Sequence, residues 1–310
     1  MDNPVFTTVA DGLRFPEGPV ALPGGSVAVC EIAAGRVTLV AADGATDCLA
    51  ETGGGPNGAA LGPDGAMYVC NNGGAEWIKV DGLLYPAGIA DDYSGGRIER
   101  VDIATGAVTI LYAECDGRPL KGPNDIVFDA AGGFWFTDTG KSYARSADKG
   151  SVFYARIDGS HIEEVIFPLD MPNGIGLAPD GATLYVAETM TARLWHYPLA
   201  GPGRLAAPPR PFDPANFLYG AGGLSGFDSL CVEAGGNVCQ ATLFSGGLSV
   251  ISPRGELAAF IELPDPLVTN ACFGGAALDQ LYATLSGTGR LVRCSWPRAG
   301  LALAHAPPPG

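Results

Sequence analysis

Basic residues are scarce in this chain: 18 Lys and Arg stand against 33 Asp and Glu in 310 residues, a formal net charge of −15 and an isoelectric point near 4.5. With no basic stripe to neutralise phosphates, nucleic acid is excluded as a partner, and the balance favours cations. Histidine is rarer still, at His161, His196 and His305, and no Cys-x-x-Cys occurs, which removes the usual zinc clusters. No run reaches the roughly 18 apolar residues of a membrane helix, and the start, Met1-Asp2-Asn3-Pro4, carries neither a basic nor an apolar leader segment. A cytoplasmic protein that spans no membrane is expected. The eight cysteines lack paired spacing; Cys30, Cys70 and Cys239 fall inside expected strands and are read as reduced, small core residues.

What is abundant is glycine, at 46 residues, with 47% hydrophobic and only 16% charged residues. That composition suits many short strands joined by tight turns. A length of 310 would suggest about two domains, but an internal repeat overrides that prior. Six times a short motif with Glu, Asn or Asp at its centre feeds an apolar strand, a turn and a second strand. The central residues are Glu17 in Pro-Glu-Gly, Asn57 in Pro-Asn-Gly, Asn124 in Pro-Asn-Asp, Asn173 in Pro-Asn-Gly, Asp228 in Phe-Asp-Ser and Asn270 in Thr-Asn-Ala. A third strand follows in every unit and a fourth in most.

Six four-stranded antiparallel sheets make an all-β, six-bladed propeller over residues 1–310, ending in a Pro-rich tail at about 303–310. The last unit lacks a fourth strand while residues 5–10 form an orphan one, so the N-terminus is expected to close the ring in blade six. The first strand of each blade lines the central channel, and the six central residues then form a ring at one mouth of it. Oxygen is their only common donor, which suits one hard divalent cation: calcium first, with manganese, magnesium, iron(II) or zinc as alternatives. The plain alternative is that Asn and Asp only cap tight turns.

Phe15-Pro16-Glu17-Gly18-Pro19, Gly122-Pro123-Asn124-Asp125-Ile126 with Trp135-Phe136-Thr137-Asp138, Pro172-Asn173-Gly174-Ile175, and Phe227-Asp228-Ser229 together resemble the senescence marker protein-30, gluconolactonase and lactonase family, and more distantly the squid-type diisopropyl fluorophosphatase. The resemblance covers nearly the whole chain. It implies that Glu17, Asn173 and Asp228 bind a catalytic metal, with Asn124 a fourth ligand or a substrate contact. It also implies that Asp228, with Asn124, is catalytic, as general base or as nucleophile. Two departures matter. Gly122 stands where animal sugar-lactonases carry Arg, with Lys121 one place further off, which points away from a polyhydroxylated sugar lactone. Cys231 stands where the phosphatase has an acid for a second, structural calcium, so one ion is expected.

Loops on the mouth side supply the substrate contacts. The insertion from Gly73 to Gly95, with Trp77, Leu83, Leu84, Tyr85 and Tyr93, is a candidate lid, and the loop before Asp228 adds Phe217, Leu218 and Tyr219. Such residues often only pack a loop down, but together they suit an apolar or aromatic lactone. Asn57, Asn124, Asp125, Lys121, Trp77, Tyr85 and Tyr219 are the expected substrate contacts. The expected activity is metal-dependent opening of a small-molecule lactone by a monomer or homodimer. The alternatives are an organophosphate or other ester hydrolase at the same ion, and a non-catalytic protein-binding propeller.

Overall fold

The computed structural model describes residues 4–211 and 213–306, so the end of the Pro-rich tail lies outside the described residues. Local chemistry makes the strands and turns. At Asp64-Gly65, Asp64 Oδ1 accepts the Ala66 amide at 3.2 Å while Gly65 takes φ 75°; the side chain closes a turn that glycine permits.

The strands pair into six antiparallel blades. Blade one is Pro16–Ala21, Val27–Glu31, Arg36–Val40 and Thr46–Glu51; blade two is Pro56–Leu61, Met67–Asn71, Arg97–Val101 and Val108–Tyr112. Blade three is Pro123–Phe128, Gly133–Asp138, Gly150–Arg156 and Ile162–Leu169; blade four is Pro172–Leu177, Thr183–Glu188, Arg193–Gly201 and Phe217–Gly220. Blade five is Gly226–Val232, Val238–Leu243, Gly247–Ile251 and Leu257–Glu262. Blade six is Val268–Gly274, Gln280–Leu285 and Arg290–Ser295, completed by Thr7–Ala10, with Thr7 opposite Arg293 and Thr8 opposite Val292. The ring therefore closes through the N-terminal strand, which begins at Thr7. Each first strand touches those of the two neighbouring blades, and that of blade six touches that of blade one, so the six enclose the channel.

Side chains interleave between blades. Tyr68, Ile98, Phe128, Phe134 and Phe136 fill the space between blades two and three, and Trp135, Ile175, Leu184 and Trp195 that between three and four. Burying each of these is worth roughly 1.5–3 kcal/mol over leaving it in water. All eight cysteines are free, and Cys30, Cys70 and Cys239 are fully buried in strands. Among the described residues no helix is long and apolar enough to cross a membrane.

Two expected loops are strands. The Gly73–Gly95 insertion folds as a hairpin of Ala75–Val80 and Leu83–Ile89, because Asp81 at φ 51° and Gly82 at φ 87° close a two-residue turn between them. Phe217–Gly220 is the outer strand of blade four, with Tyr219 opposite Leu194; backbone pairing to Arg193–Trp195 takes precedence over a free loop.

Candidate metal centre

The six ring residues occupy the second or third position of each blade's first strand, and each lies at a break in the pairing with the second strand. The register slips between Glu17 and Val20, Pro56 and Ala59, Pro123 and Ile126, Pro172 and Ile175, Phe227 and Leu230, and Val268 and Asn270. Such a bulge leaves a residue outside the ladder and re-aims its side chain. The motif read from sequence as a turn is thus the bulged start of a strand: Asn57, Asn124, Asn173 and Asp228 fall inside the slip, while Glu17 stays paired with Cys30 and Asn270 with Thr284 at its edge. Phe15 at φ 57° and Met171 at φ 56° precede the motif in blades one and four. Non-glycine residues take that backbone only when their surroundings hold them there. A Cβ at Gly18, itself at φ 49°, would stand 2.2 Å from the Asn57 carbonyl oxygen.

Glu17 is 2% exposed, and Asn57, Asn124, Asn173 and Asn270 are also buried, while Asp228 keeps more of its surface open. Glu17 Oε2 accepts the Gly18 amide at 2.6 Å and Asn270 Nδ2 at 2.7 Å, and Asn270 Oδ1 accepts the Ala271 amide at 2.7 Å. Asn270 therefore uses both ends of its carboxamide, one of them to orient Glu17. Asn173 Nδ2 donates to Thr189 Oγ1 at 3.2 Å and its Oδ1 accepts Ser229 Oγ at 3.3 Å. Thr137 Oγ1 donates to the Asn173 carbonyl at 2.6 Å and Gln240 Nε2 to the Asp228 carbonyl at 2.7 Å, pinning both strands. Thr189 and Gln240 escaped the sequence reading, and Thr137 and Ser229 entered it only as members of motifs with no role of their own, because nothing local marks any of the four as orienting residues.

Burial raises the Glu17 carboxyl above its usual range although the Asn270 and Gly18 hydrogen bonds pull it down. Burial, then the charge of Glu17, pushes Asp228 well up and Asp125 up to about 7. Three acids that oppose one another's ionisation form a site that a cation relieves. Glu17 Oε1, Asn57 Oδ1 and Asn124 Oδ1 are buried without a hydrogen-bond partner. Each such orphan costs roughly 1–3 kcal/mol, and a hard ion taking oxygen ligands would satisfy several at once. Among the described residues no cluster of three or more His, Cys, Asp and Glu is arranged to hold an ion. A ligand set must then include carboxamides, and Glu17, Asp228, Asn173 and Asn124 form such a set; the donor chemistry fits.

The remaining expected contacts are dispersed. The hairpin reaches from blade two to the mouth-side ends of blades one, five and six: Trp77 packs at a tilt against Phe15 with ring centres 4.8 Å apart, the Leu84 amide donates to the Gly287 carbonyl at 2.9 Å, and Tyr85 packs in the same cluster with Ile32, Leu243 and Leu267. Asp125 Oδ1 accepts the Ile126 amide at 2.9 Å and its Oδ2 the Ile175 amide at 3.4 Å; the residue borders the apolar channel of about 130 Å³ behind the ring, together with Cys231. Leu303 and His305 of the C-terminal segment close the far end of that channel. Lys121 Nζ is tied to Asp148 at 2.8 Å, and Tyr219 stacks on Phe227 away from the channel.

The sequence pattern described as the SMP-30/Gluconolactonase/LRE-like region matches residues 15–287. The chain is 32% identical over 193 residues to lactonase drp35 of Staphylococcus haemolyticus, covering 62% of this chain and 57% of that protein. It is 28% identical over 233 residues to gluconolactonase of Zymomonas mobilis, covering 71% and 58%. The chain thus spans less than two thirds of these relatives' length. Regucalcin of Agrobacterium tumefaciens, a calcium-binding protein, shares the fold at a TM-score of 0.75 and 18% identity, over 99% of this chain and 97% of that one. Because the matched stretch encloses all six bulged strands and every ring residue, the chain belongs to the SMP-30/gluconolactonase/LRE-like family.

Proposed function

We propose that this chain is a metal-dependent hydrolase that opens a lactone, a cyclic carboxylic ester. The observation that carries the reading is the ring of bulged strands, in which buried unpartnered oxygens of Glu17, Asn57 and Asn124 share one mouth with the Asp228 carboxyl. Relatives named lactonase and gluconolactonase support the reaction class.

Glu17, Asn173 and Asp228 would hold one divalent ion, with Asn124 as fourth ligand or substrate contact. Calcium suits an all-oxygen set best, in keeping with a calcium-binding protein of the same fold; manganese, magnesium, iron(II) and zinc are the alternatives. Such an ion, when bound, polarises an ester carbonyl and lowers the pKa of water. The chain's own residues do the rest. Asp228, the most open of the ring acids, accepts the proton of the attacking water. Its carboxylate form, opposed by burial and by Glu17, is the form a nearby cation favours. Asn270 and the Gly18 amide hold Glu17 in place, and Thr189 and Ser229 hold Asn173.

Trp77, Leu84 and Tyr85 on the hairpin give the mouth an apolar edge, which favours an apolar or aromatic lactone over a polyhydroxylated one. Gly122 offers no side chain to a sugar hydroxyl. Eight free thiols support a reducing, cytoplasmic setting. An organophosphate or other ester attacked at the same site, with Asp228 as nucleophile, is the second reading. The test is a hydrolysis screen over sugar, aliphatic and aromatic lactones with metal-free protein and with single divalent ions restored. The expected result is turnover only after an ion is added, highest on aromatic or aliphatic rings. Undiminished hydrolysis by metal-free protein, or no lactone opened under any ion, would overturn the proposal.

A further inference from the structure

Lys141 lies in the loop that follows the second strand of blade three, Gly133–Asp138, on the mouth side. Its side chain crosses to blade two, where Nζ donates to the Asn72 carbonyl at 2.6 Å and stands 4.7 Å from the centre of the Tyr93 ring. Both attachments lead to the ring. The Asn72 amide donates to the Gly55 carbonyl at 2.8 Å, two residues before Asn57, and Asp138 stands opposite Pro123, directly before Asn124. Lys141 therefore bridges the two blades whose ring carboxamides keep unpartnered oxygens.

An ammonium carries three donors, and one hydrogen bond is made here. Its neighbours Lys121 and Lys149 are paired with Asp148 and Asp170, whereas Lys141 makes no ion pair among the described residues. Asp138, the acid whose charge it feels, has its oxygens engaged by the amides of Lys121 at 2.8 Å, Gly122 at 2.7 Å and Gly140 at 2.8 Å. Burial pushes the Lys141 ammonium down to about 8, and Asp138 offsets this only in part. A clamp between two blades could use a neutral donor. A desolvated cation with no counter-ion instead gains from every anion that reaches it. The net charge of −15 works against this at long range, but salt screens exposed charges beyond about 8 Å, and selection takes place at contact.

We propose that Lys141 is a specificity residue that holds an anionic group of the substrate, a carboxylate carried on the lactone ring or its substituent. This rests on the lactone-hydrolase reading and narrows it to acidic, otherwise apolar lactones. The test reads binding rather than turnover. Calorimetry compares 2,3-dihydrobenzofuran-2-carboxylate, a cyclic ether with no ester to open, with its neutral carboxamide, in about 0.15 M salt with calcium present. Wild-type protein is expected to prefer the carboxylate by about 10-fold or more, the worth of one charge-assisted hydrogen bond. Lys141→Met should reduce that preference to within about 2-fold, and Lys141→Arg should keep most of it. No preference in the wild type, no binding of the carboxylate, or a preference that survives in Lys141→Met would overturn the proposal; survival would seat the anion on another positive centre. If Lys141→Met fails to fold, wild-type protein with isotopically methylated lysines gives the answer. The carboxylate must move the signal that Lys141→Arg lacks and the carboxamide must not; an unmoved signal refutes the assignment. Because no ester is opened, failure here leaves the lactone screen standing, and failure of the screen leaves this preference measurable.

Discussion

Glu17 and Asp228 bring the same charge to the same mouth but differ in surroundings, and the difference assigns their tasks. Glu17 is closed off and held by Asn270 and the Gly18 amide, whereas Asp228 stays partly open, its carboxyl held by the Asn173 side chain and the Ser229 amide and its backbone by Gln240. Replacing Asp228 by Asn keeps a carbonyl oxygen and removes the proton acceptor, so metal should still bind while turnover falls by roughly 100-fold or more. Glu17→Gln removes charge from the ion's surroundings and leaves the base. Its loss should appear in metal affinity and be partly recovered by added metal in the same assay. Rescue of Asp228→Asn to near wild-type turnover by excess metal would make Asp228 a ligand only. The identity of the ring residues was legible because one motif recurs in register six times. The orienting roles of Thr137, Thr189 and Gln240 were not, because they act through side chains or carbonyls that meet only after folding.

At the scale of elements, the strands were legible from alternation and turn chemistry, but the bulges were not. A bulge is a mismatch between two strands, and a motif such as Pro172-Asn173-Gly174 satisfies a turn and a bulged strand start equally well. The Gly73–Gly95 insertion was placed on the mouth side by blade alternation; its hairpin is local, turning at Asp81-Gly82, whereas its contacts with Phe15, Leu243 and Leu267 depend on residues far along the chain. One long-range element went unread altogether, the tie between blade five and residues 296–300. Glu233 accepts Arg298 Nε at 2.5 Å, Trp296 Nε1 at 2.8 Å and Asn237 Nδ2 at 2.8 Å. Burial alone would raise its carboxyl, but the hydrogen bonds from Arg298, Trp296 and Asn237 outweigh that and hold it below the usual glutamate value. A lowered folded-state value means stabilisation that is complete above the unfolded value and fades as pH falls through the folded one. Glu233→Gln should therefore lower unfolding free energy by about 2–3 kcal/mol at pH 7. The gap from wild type should narrow below about pH 4 in denaturant titrations; a pH-independent gap would show that the charge is not what matters.

For the whole molecule, six repeated units make a ring whose closure depends on one short strand, Thr7–Ala10 against Arg290–Ser295. The sequence announced this closure because one unit was short of a strand and one strand lacked a unit. Removing residues 1–10 leaves blade six with an unpaired edge and uncovers the side chains of Leu291 and Tyr282 that Ala10 packs against. The truncated chain should melt several degrees lower and self-associate, as followed by calorimetry and light scattering. An unchanged melting temperature would mean that the ring does not depend on this strand.

If the ring of oxygens at the mouth is a metal centre, it holds one divalent ion. Calcium titrated into metal-free protein by calorimetry measures this directly, with thermal unfolding followed in parallel. One ion per chain should bind, and saturation at about 100 times the dissociation constant should add about 2.7 kcal/mol of stability. Both effects should disappear when Glu17 and Asp228 are replaced together by Ala. Absence of binding by any of the five candidate ions, or binding that persists undiminished in that double variant, would mean that the ring residues are not a metal centre.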